Sequence, residues 1–489
     1  MDLQQHYSNH GLLIAGRWHA AAAHHQLEAV NPATEELLGH IPNATADQVA
    51  AAIDAADAGA QRMRQLTAWQ RSEVLRRAGV LVRERAEQIG RLVAVETGKP
   101  IAQAVGEALA SAESIDWFAD EARRIFGLSY ESRVKEGRYV VHFEPLGVVA
   151  AFTPWNFPLL LLARKMAPAL AAGNSLVIRP SNEAAGSTMA LVRCFVDAGY
   201  PEGAINLVTG QPQNITAVIM DDPRVAKISF TGSVPVGKEI VAQSARTLKR
   251  VTMELGGHAP VIVHSDADIE AFSSAAAQGK FRNAGQVCAS PTRFFIHESI
   301  FDKVAERFAA HTRALRMGDP LDAKTDLGPL TTARRRDAVE RLIDEAVSEG
   351  AKIVAGGKRP QRLSRGWFYE PTLIADAGSH VGLMNEEPFG PVGTLTPFST
   401  LDEVIAEANR LPFALAAYVY TRSLRKTHET TERLHAGVIG VNTFVASTAE
   451  TPFGGAKESG FGREGGPTAI RDYLHTKFLN LAMPNEAVE

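Results

Sequence analysis

Residues 147–180 read GVVAAFTPWNFPLLLLARKMAPALAAGNSLVIRP. Val148–Phe152 is a short apolar run, Leu159–Ala172 has the length of a helix, and Ser175–Ile178 is a second apolar run. Parallel strands need a crossover, usually a helix, so strand, helix and strand at this spacing make one unit of a parallel sheet. The unit continues downstream. Helical stretches Ala184–Ala198, Ile215–Asp221 and Val236–Ala245 alternate with apolar runs Ile205–Val208, Lys227–Phe230 and Val251–Glu254. The predicted fold is therefore α/β, with a doubly wound parallel sheet that binds ligands beyond the carboxyl ends of its strands.

Working outward, residues from about Ala46 to Arg124 are rich in Ala, Arg, Glu and Leu at helical spacing, and Gly137–Phe143 alternates like a strand. A second α/β stretch runs from Ala259 to about Gly440. A glycine-rich segment, Pro452–Gly466, precedes a last strand-like run at Lys477–Met483. A chain of 489 residues exceeds one ordinary core and implies two or three packed units. With 45% apolar and 22% charged residues, extensive disorder is excluded. A net charge of −4 offers no footprint for nucleic acid or an anionic membrane.

Cys194 and Cys288 are the only cysteines, so no disulfide framework is expected and a reducing compartment is. The opening MDLQQHYSNHGLL lacks a basic segment followed by an apolar one. The most apolar region, Val148–Ile178, is broken by prolines, Arg164, Lys165 and Asn174. A cytoplasmic protein without a membrane span is expected.

Two familiar patterns carry little weight. Gly460-Phe461-Gly462-Arg463-Glu464-Gly465 spells a dinucleotide fingerprint, but only 24 residues remain after it for a βαβ unit, so it reads as a turn. Gly232 to Glu239 is one residue short of a phosphate loop, with Glu239 where a magnesium-binding hydroxyl belongs. The place of that loop still matters. It follows the strand Lys227–Phe230 and opens a helix with Pro235, where free N–H groups can meet a pyrophosphate. A plain connection is the simpler account of that loop alone.

Three side chains suggest chemistry. Cys194, inside ALVRCFVDAG, looks like a small buried hydrophobe, whereas Cys288 sits among Asn283, Gln286 and Ser290, a setting that suits a reactive thiol. Glu254 ends an apolar strand before Gly256 and Gly257, where burial would make it a stronger base. Asn156, between Pro154 and Pro158, can donate to an oxyanion, although two prolines also make a rigid turn.

These segments together resemble the aldehyde dehydrogenase superfamily over nearly the whole chain. The matching pieces are FTPWNFP at 152–158, SFTGS at 229–233, MELGG at 253–257, GQVC at 285–288, EEPFGPV at 386–392 and PFGGAKESGFGRE at 452–464. The resemblance implies Cys288 as nucleophile, Asn156 with the Cys288 N–H as oxyanion donors, and Glu254 as the base for thioester hydrolysis. It implies Gly232 and Ser233 at a pyrophosphate, Glu387 on the nicotinamide ribose, Phe389 beside the nicotinamide, and Thr153, Pro154 and Trp155 lining the cofactor cleft. It also implies a dinucleotide-binding domain (1–125 and 147–253), a catalytic domain (254–469) and an oligomerisation β-flap (126–146 and 470–489), hence a homodimer or homotetramer. No metal is implied.

Family members usually carry lysine where Arg179 stands, and NAD-preferring ones often carry glutamate where Asn182 stands, with Ser181 between. Losing that carboxylate removes repulsion against a 2′-phosphate and Arg179 can pair with it, so the cofactor is NADP or NAD with a lean to NADP. Within the superfamily the chain most resembles succinate-semialdehyde and 2-oxoglutarate semialdehyde dehydrogenases. Arg164 and Arg282 match arginines that hold the substrate's distal carboxylate, and Ser447 and Thr448 match a hydroxyl-bearing loop. Either arginine alone could be a structural salt bridge. Ser290 stands where some succinate-type members carry a second cysteine, so that redox switch is not expected. A CoA-acylating dehydrogenase is disfavoured by Glu254, and a non-catalytic binding protein by the joint presence of Cys288, Glu254 and Asn156.

Overall fold

The computed structural model describes residues 6–7, 10–22 and 25–482. Met483, the last residue of the expected terminal strand, and the rest of the flap range to 489 lie outside the described residues, as do positions 1–5, 8–9 and 23–24 of the first range.

The alanine-rich stretch forms helices Ala46–Arg64, Ala68–Glu84, Ala86–Thr97 and Ile101–Glu121. Thr45 and Thr67 start the first two with reciprocal capping boxes to Gln48 and Gln70, which satisfy N–H groups that a helix start leaves free. Small buried residues such as Ala108 and Ala112 let the last three pack closely on one another and on Pro158–Ala172, while the first, through Ala52 and Ala56, packs instead on strands Ser175–Pro180 and Ile205–Leu207.

Five parallel strands of the first sheet follow the expected order of elements: Ile205–Leu207, Ser175–Pro180, Val148–Thr153, Val225–Gly232 and Arg250–Leu255, side by side in that order. Nearly all their residues are buried, which is why they read as continuous apolar runs rather than alternating ones. The second sheet, built from residues 259–441, places Ala259–Val263 between Pro291–His297 and Ala416–Tyr420, with Val438–Val441 at its edge. Separate cores cover the two faces of the first sheet, and a third packs the second.

Three features depart from the sequence reading. Short strands Leu12–Ile14 and Arg17–His19 extend the first sheet through Leu13 beside Leu207, and Gln26–Val30 pairs with Leu37–Pro42. The first two, of three residues each, are too short for a period to show, and the join to the first sheet is made to a partner distant in sequence. The segment read as a turn at Gly460 contains a two-residue edge strand, Gly460–Phe461, antiparallel to Met253–Glu254. Glycine is required there: Gly460 has φ +110°, and a Cβ on it would lie 1.9 Å from the Met253 carbonyl oxygen. Finally, the terminal strand starts earlier than expected, at Leu474, and runs to Ala482 against Gly137–Pro145, which also pairs with Leu128–Glu131. Leu128, Tyr130, Phe478 and Leu481 are exposed on this three-stranded sheet. Among the described residues no helix is long and apolar enough to cross a membrane.

Candidate active site

Sheet register brings the sequence-selected residues of the first half together. Phe152 lies beside Arg179 and Thr153 beside Pro180, while Thr231 lies beside Glu254 and Gly232 beside Leu255. Thr153, Arg179, Gly232 and Glu254 thus sit at the carboxyl ends of neighbouring parallel strands. Ser233 then caps helix Val234–Ser244 without a side-chain cap bond, leaving its exposed hydroxyl and the helix N–H groups facing outward. Buried Thr153 Oγ1 and Arg179 Nε have no hydrogen-bond partner among the described residues. Unpartnered donors beside a helix start fit a phosphate- and hydroxyl-bearing dinucleotide.

Cys288 follows a strained turn. Asn283, Ala284 and Gly285 all have left-handed backbone, with φ of 49°, 52° and 72°. Such conformations persist only where surroundings hold them. Here the Asn283 N–H donates to Gln103 Oε1 (2.9 Å), the Thr331 N–H to Gln286 Oε1 (3.0 Å), and Gln286 Nε2 to the Asn283 carbonyl (3.1 Å). A Cβ on Gly285 would stand 2.0 Å from the Gly390 carbonyl oxygen. Gly285→Ala is expected to destabilise the fold by about 2–4 kcal/mol, checked by urea denaturation.

Asn156 is tied to this turn. Its Nδ2 donates to the Gln286 carbonyl at 2.9 Å, and its own carbonyl accepts from Lys99 Nζ (2.7 Å) and Asn283 Nδ2 (3.0 Å). An amide nitrogen has two hydrogens, so one fixes the group and the other is left to donate. Lys99 pairs with buried Glu107, whose other oxygen accepts from the Leu159 and Leu160 N–H groups at the start of helix Pro158–Ala172.

The thiol of Cys288 is half-buried, and desolvation, followed by the charges of Glu387 and Glu254, pushes its pKa up to about 12; Arg164 acts the other way. Glu254 is 3% exposed, and neither carboxyl oxygen has a partner among the described residues. Burial and the nearby Glu464 carboxylate raise its pKa well above the usual range. Glu464 is paired with Lys165, whose ammonium also donates to Thr231 Oγ1 at 2.6 Å. Glu387 accepts from the Gly257 N–H at 3.2 Å, and Phe389 meets Trp155 edge-on with ring centroids 5.5 Å apart.

The two candidate anchor arginines differ. Arg164 is buried, donates from Nη2 to Ser447 Oγ at 2.7 Å, lies over the Phe453 ring, and has no carboxylate partner among the described residues. Arg282 is exposed and lies 5.1 Å from the Phe157 ring centroid. Thr448 is exposed and bonds within its loop to Thr451. Asn182 spends both ends of its amide on Gly210, and neighbouring Glu183 accepts from Ser181 Oγ, so a carboxylate the sequence reading passed over stands next to Asn182.

Residues 18–479 match the model of the aldehyde dehydrogenase family. The chain belongs to that family. A putative 4-(hydroxymethyl)benzenesulfonate dehydrogenase of Comamonas testosteroni is 42% identical over 96% of this chain and 97% of its own. The NADP+ succinate-semialdehyde dehydrogenase of Escherichia coli K12 is 39% identical over the same shares. The crystal structure of a succinate-semialdehyde dehydrogenase from Burkholderia pseudomallei has a TM-score of 0.94 at 40% identity, covering 97% of this chain and 98% of that one.

Sequence reasoning about this aldehyde dehydrogenase missed Lys99, Glu107, Lys165 and Glu464. Each is a charged residue whose partner lies elsewhere in the chain, and nothing in its local pattern separates it from a surface charge. The one available signal was the apolar run LLARKMAPAL, interrupted only by the adjacent Arg164 and Lys165.

Proposed function

We propose that this aldehyde dehydrogenase oxidises an aldehyde bearing a remote anionic group, with succinate semialdehyde as the type substrate, and that NADP+ is the preferred cofactor. Arg164 carries this reading. A buried guanidinium with a hydroxyl beside it, near Glu464 and Glu254 but ion-paired with no carboxylate among the described residues, is an anchor for a substrate carboxylate.

In the chemistry we infer, the Cys288 thiol gives its proton to a carboxylate and Sγ bonds to the aldehyde carbon. The Asn156 N–H not bound to Gln286, with the Cys288 N–H, steadies the resulting oxyanion. Gly232 and Ser233 would hold the pyrophosphate of a nicotinamide dinucleotide, Glu387 its ribose, and Thr153, Pro154, Trp155 and Phe389 would line the cleft; that group would supply a hydride acceptor and a positive ring charge that favours the thiolate. Glu254 then removes a proton from water, which attacks the thioester carbon; the C–S bond breaks and Cys288 is regenerated. Arg179 and Ser181 are assigned to the adenosine end, where Asn182 carries no charge and Arg179 lies within the field of the neighbouring Glu183 carboxylate. Residues 1–125 with 147–253, 254–469, and 126–146 with 470–489 serve as cofactor, catalytic and flap units. The exposed apolar flap joins subunits into a dimer or tetramer, which sedimentation velocity measures, and the enzyme works in the cytoplasm.

Arg164→Met is expected to raise KM for succinate semialdehyde about 100-fold, the scale of a lost charge-assisted pair, while KM for butanal changes little. Arg282→Ala, at an exposed site, has a smaller effect. Equal rises for both aldehydes refute the anchor. Glutarate, 2-oxoglutarate and sulfonated aldehydes belong in the same panel, since a guanidinium pairs with sulfonate as with carboxylate. Higher kcat/KM with NAD+ than with NADP+ refutes the cofactor preference.

A further inference from the structure

His258 has no part in the chemistry above, yet it directly follows Gly256 and Gly257 and is buried. Both of its ring nitrogens are engaged. Nε2 lies 3.0 Å from the Leu383 carbonyl oxygen, and Nδ1 lies 2.6 Å from Thr292 Oγ1. A carbonyl only accepts, so Nε2 carries the hydrogen and Nδ1 accepts from the Thr292 hydroxyl. Burial keeps this ring neutral, and the charges of Arg293, Lys280 and Arg410 act the same way.

Leu383 lies in the short turn Gly382–Met384, four residues before Glu387 and six before Phe389. Residues 385–391 belong to no helix or strand, so no ladder of backbone bonds holds them. Single contacts do so instead. Glu387 accepts from the Gly257 N–H at 3.2 Å and lies so close to the diglycine that a Cβ on Gly256 would stand 2.1 Å from its Oε2. Phe389, with φ of 43°, meets Trp155 edge-on. A strained residue of this kind persists only where fixed points hold the chain around it. His258 supplies the fixed point at the Leu383 end.

We propose that His258 is a positioning residue for the cofactor: its bond to the Leu383 carbonyl sets the place of the segment that carries Glu387 and Phe389. This rests on the assignment of those two residues to the nicotinamide end made above. The adenosine end is assigned to Arg179 and Ser181, at the close of strand Ser175–Pro180, and His258 bonds to neither. Loss of the His258–Leu383 bond therefore weakens the grip on one half of the dinucleotide and spares the other.

The test is calorimetric binding of two probes, NADP+ and adenosine 2′,5′-bisphosphate. The second has the adenosine and its 2′-phosphate but neither the nicotinamide nor its ribose. His258→Asn places an amide near Nδ1, within reach of Thr292, and leaves the Leu383 carbonyl without its donor. It is expected to weaken NADP+ binding about tenfold, the scale of one lost hydrogen bond, with bisphosphate binding within about twofold of wild type. His258→Gln places its amide near Nε2 and is expected to restore NADP+ binding to within about threefold. If the asparagine variant does not fold, Thr292→Val decides, since it removes the hydroxyl that selects the tautomer: a loss confined to NADP+ supports the role, and unchanged binding of both probes overturns it. Glu387→Ala weakens NADP+ alone; if it changes neither probe, the ribose assignment is wrong. If Glu387→Ala shows that split while His258→Asn binds both probes normally, or loses both equally, the role proposed for His258 is wrong. A glutamine variant no better than the asparagine one overturns it too.

Discussion

Cys288→Ala is expected to lower aldehyde-dependent cofactor reduction by at least about 10⁴-fold while NADP+ binding, followed by calorimetry, stays within about twofold of wild type. Without sulfur no covalent adduct forms, and hydride transfer from a free aldehyde hydrate has none of the geometry around the turn to assist it. Cys194 cannot stand in. It is buried in helix Ala185–Asp197 against Arg85, with its pKa raised by desolvation to about 11. Desolvation and the Glu387 and Glu254 carboxylates push the Cys288 thiol up to about 12, which favours its protonated form at neutral pH. Alkylation of Cys288 by iodoacetamide should therefore be slow at neutral pH, rise with pH, and accelerate when a cation or a base approaches the sulfur. Full activity in the alanine variant refutes the covalent route.

Glu254→Gln should produce a different failure. The first turnover survives, because sulfur, oxyanion donors and cofactor are intact, but hydrolysis of the thioester loses its base. Rapid mixing is expected to show a burst of about one equivalent of reduced cofactor per site, followed by a steady state slower by about 10²–10³-fold. The pH dependence has a defined sign. Burial and Glu464 raise the Glu254 pKa, only the ionised form accepts a proton from water, and turnover of the wild type therefore rises with pH through that ionisation. The glutamine variant should lack this limb. A burst of the same size followed by an unchanged steady rate assigns hydrolysis to another base.

The parallel sheet was legible because its strands are buried on both faces and punctuated by helices of ordinary length. Cys288 stood out from Cys194 by the polarity of its neighbours, and Glu254 by its place at a strand end. Other features depend on contacts between distant segments and leave no local trace. Arg164 and Arg282 look alike as letters, yet one is enclosed beside Ser447 and the other lies exposed against Phe157. Thr448 is adjacent to Ser447 but turns into its own loop. Asn182 announced a missing carboxylate, while Glu183 beside it was passed over. Short amino-terminal strands and the Gly460–Phe461 edge strand owe their conformation to partners far along the chain, not to any periodicity of their own.

The same long-range ties govern how the enzyme comes together. Asn156 is fastened to Lys99 across 57 residues and to Gln286 across 130, and Lys165 meets Glu464 across 299. Contacts of such separation close late, after local helices and hairpins have formed. On refolding from denaturant, far-ultraviolet ellipticity should therefore return well before catalytic competence. Ribosomal synthesis imposes the same delay, since Glu464, the partner of Lys165 and the carboxylate beside Glu254, is added after every other residue of the site.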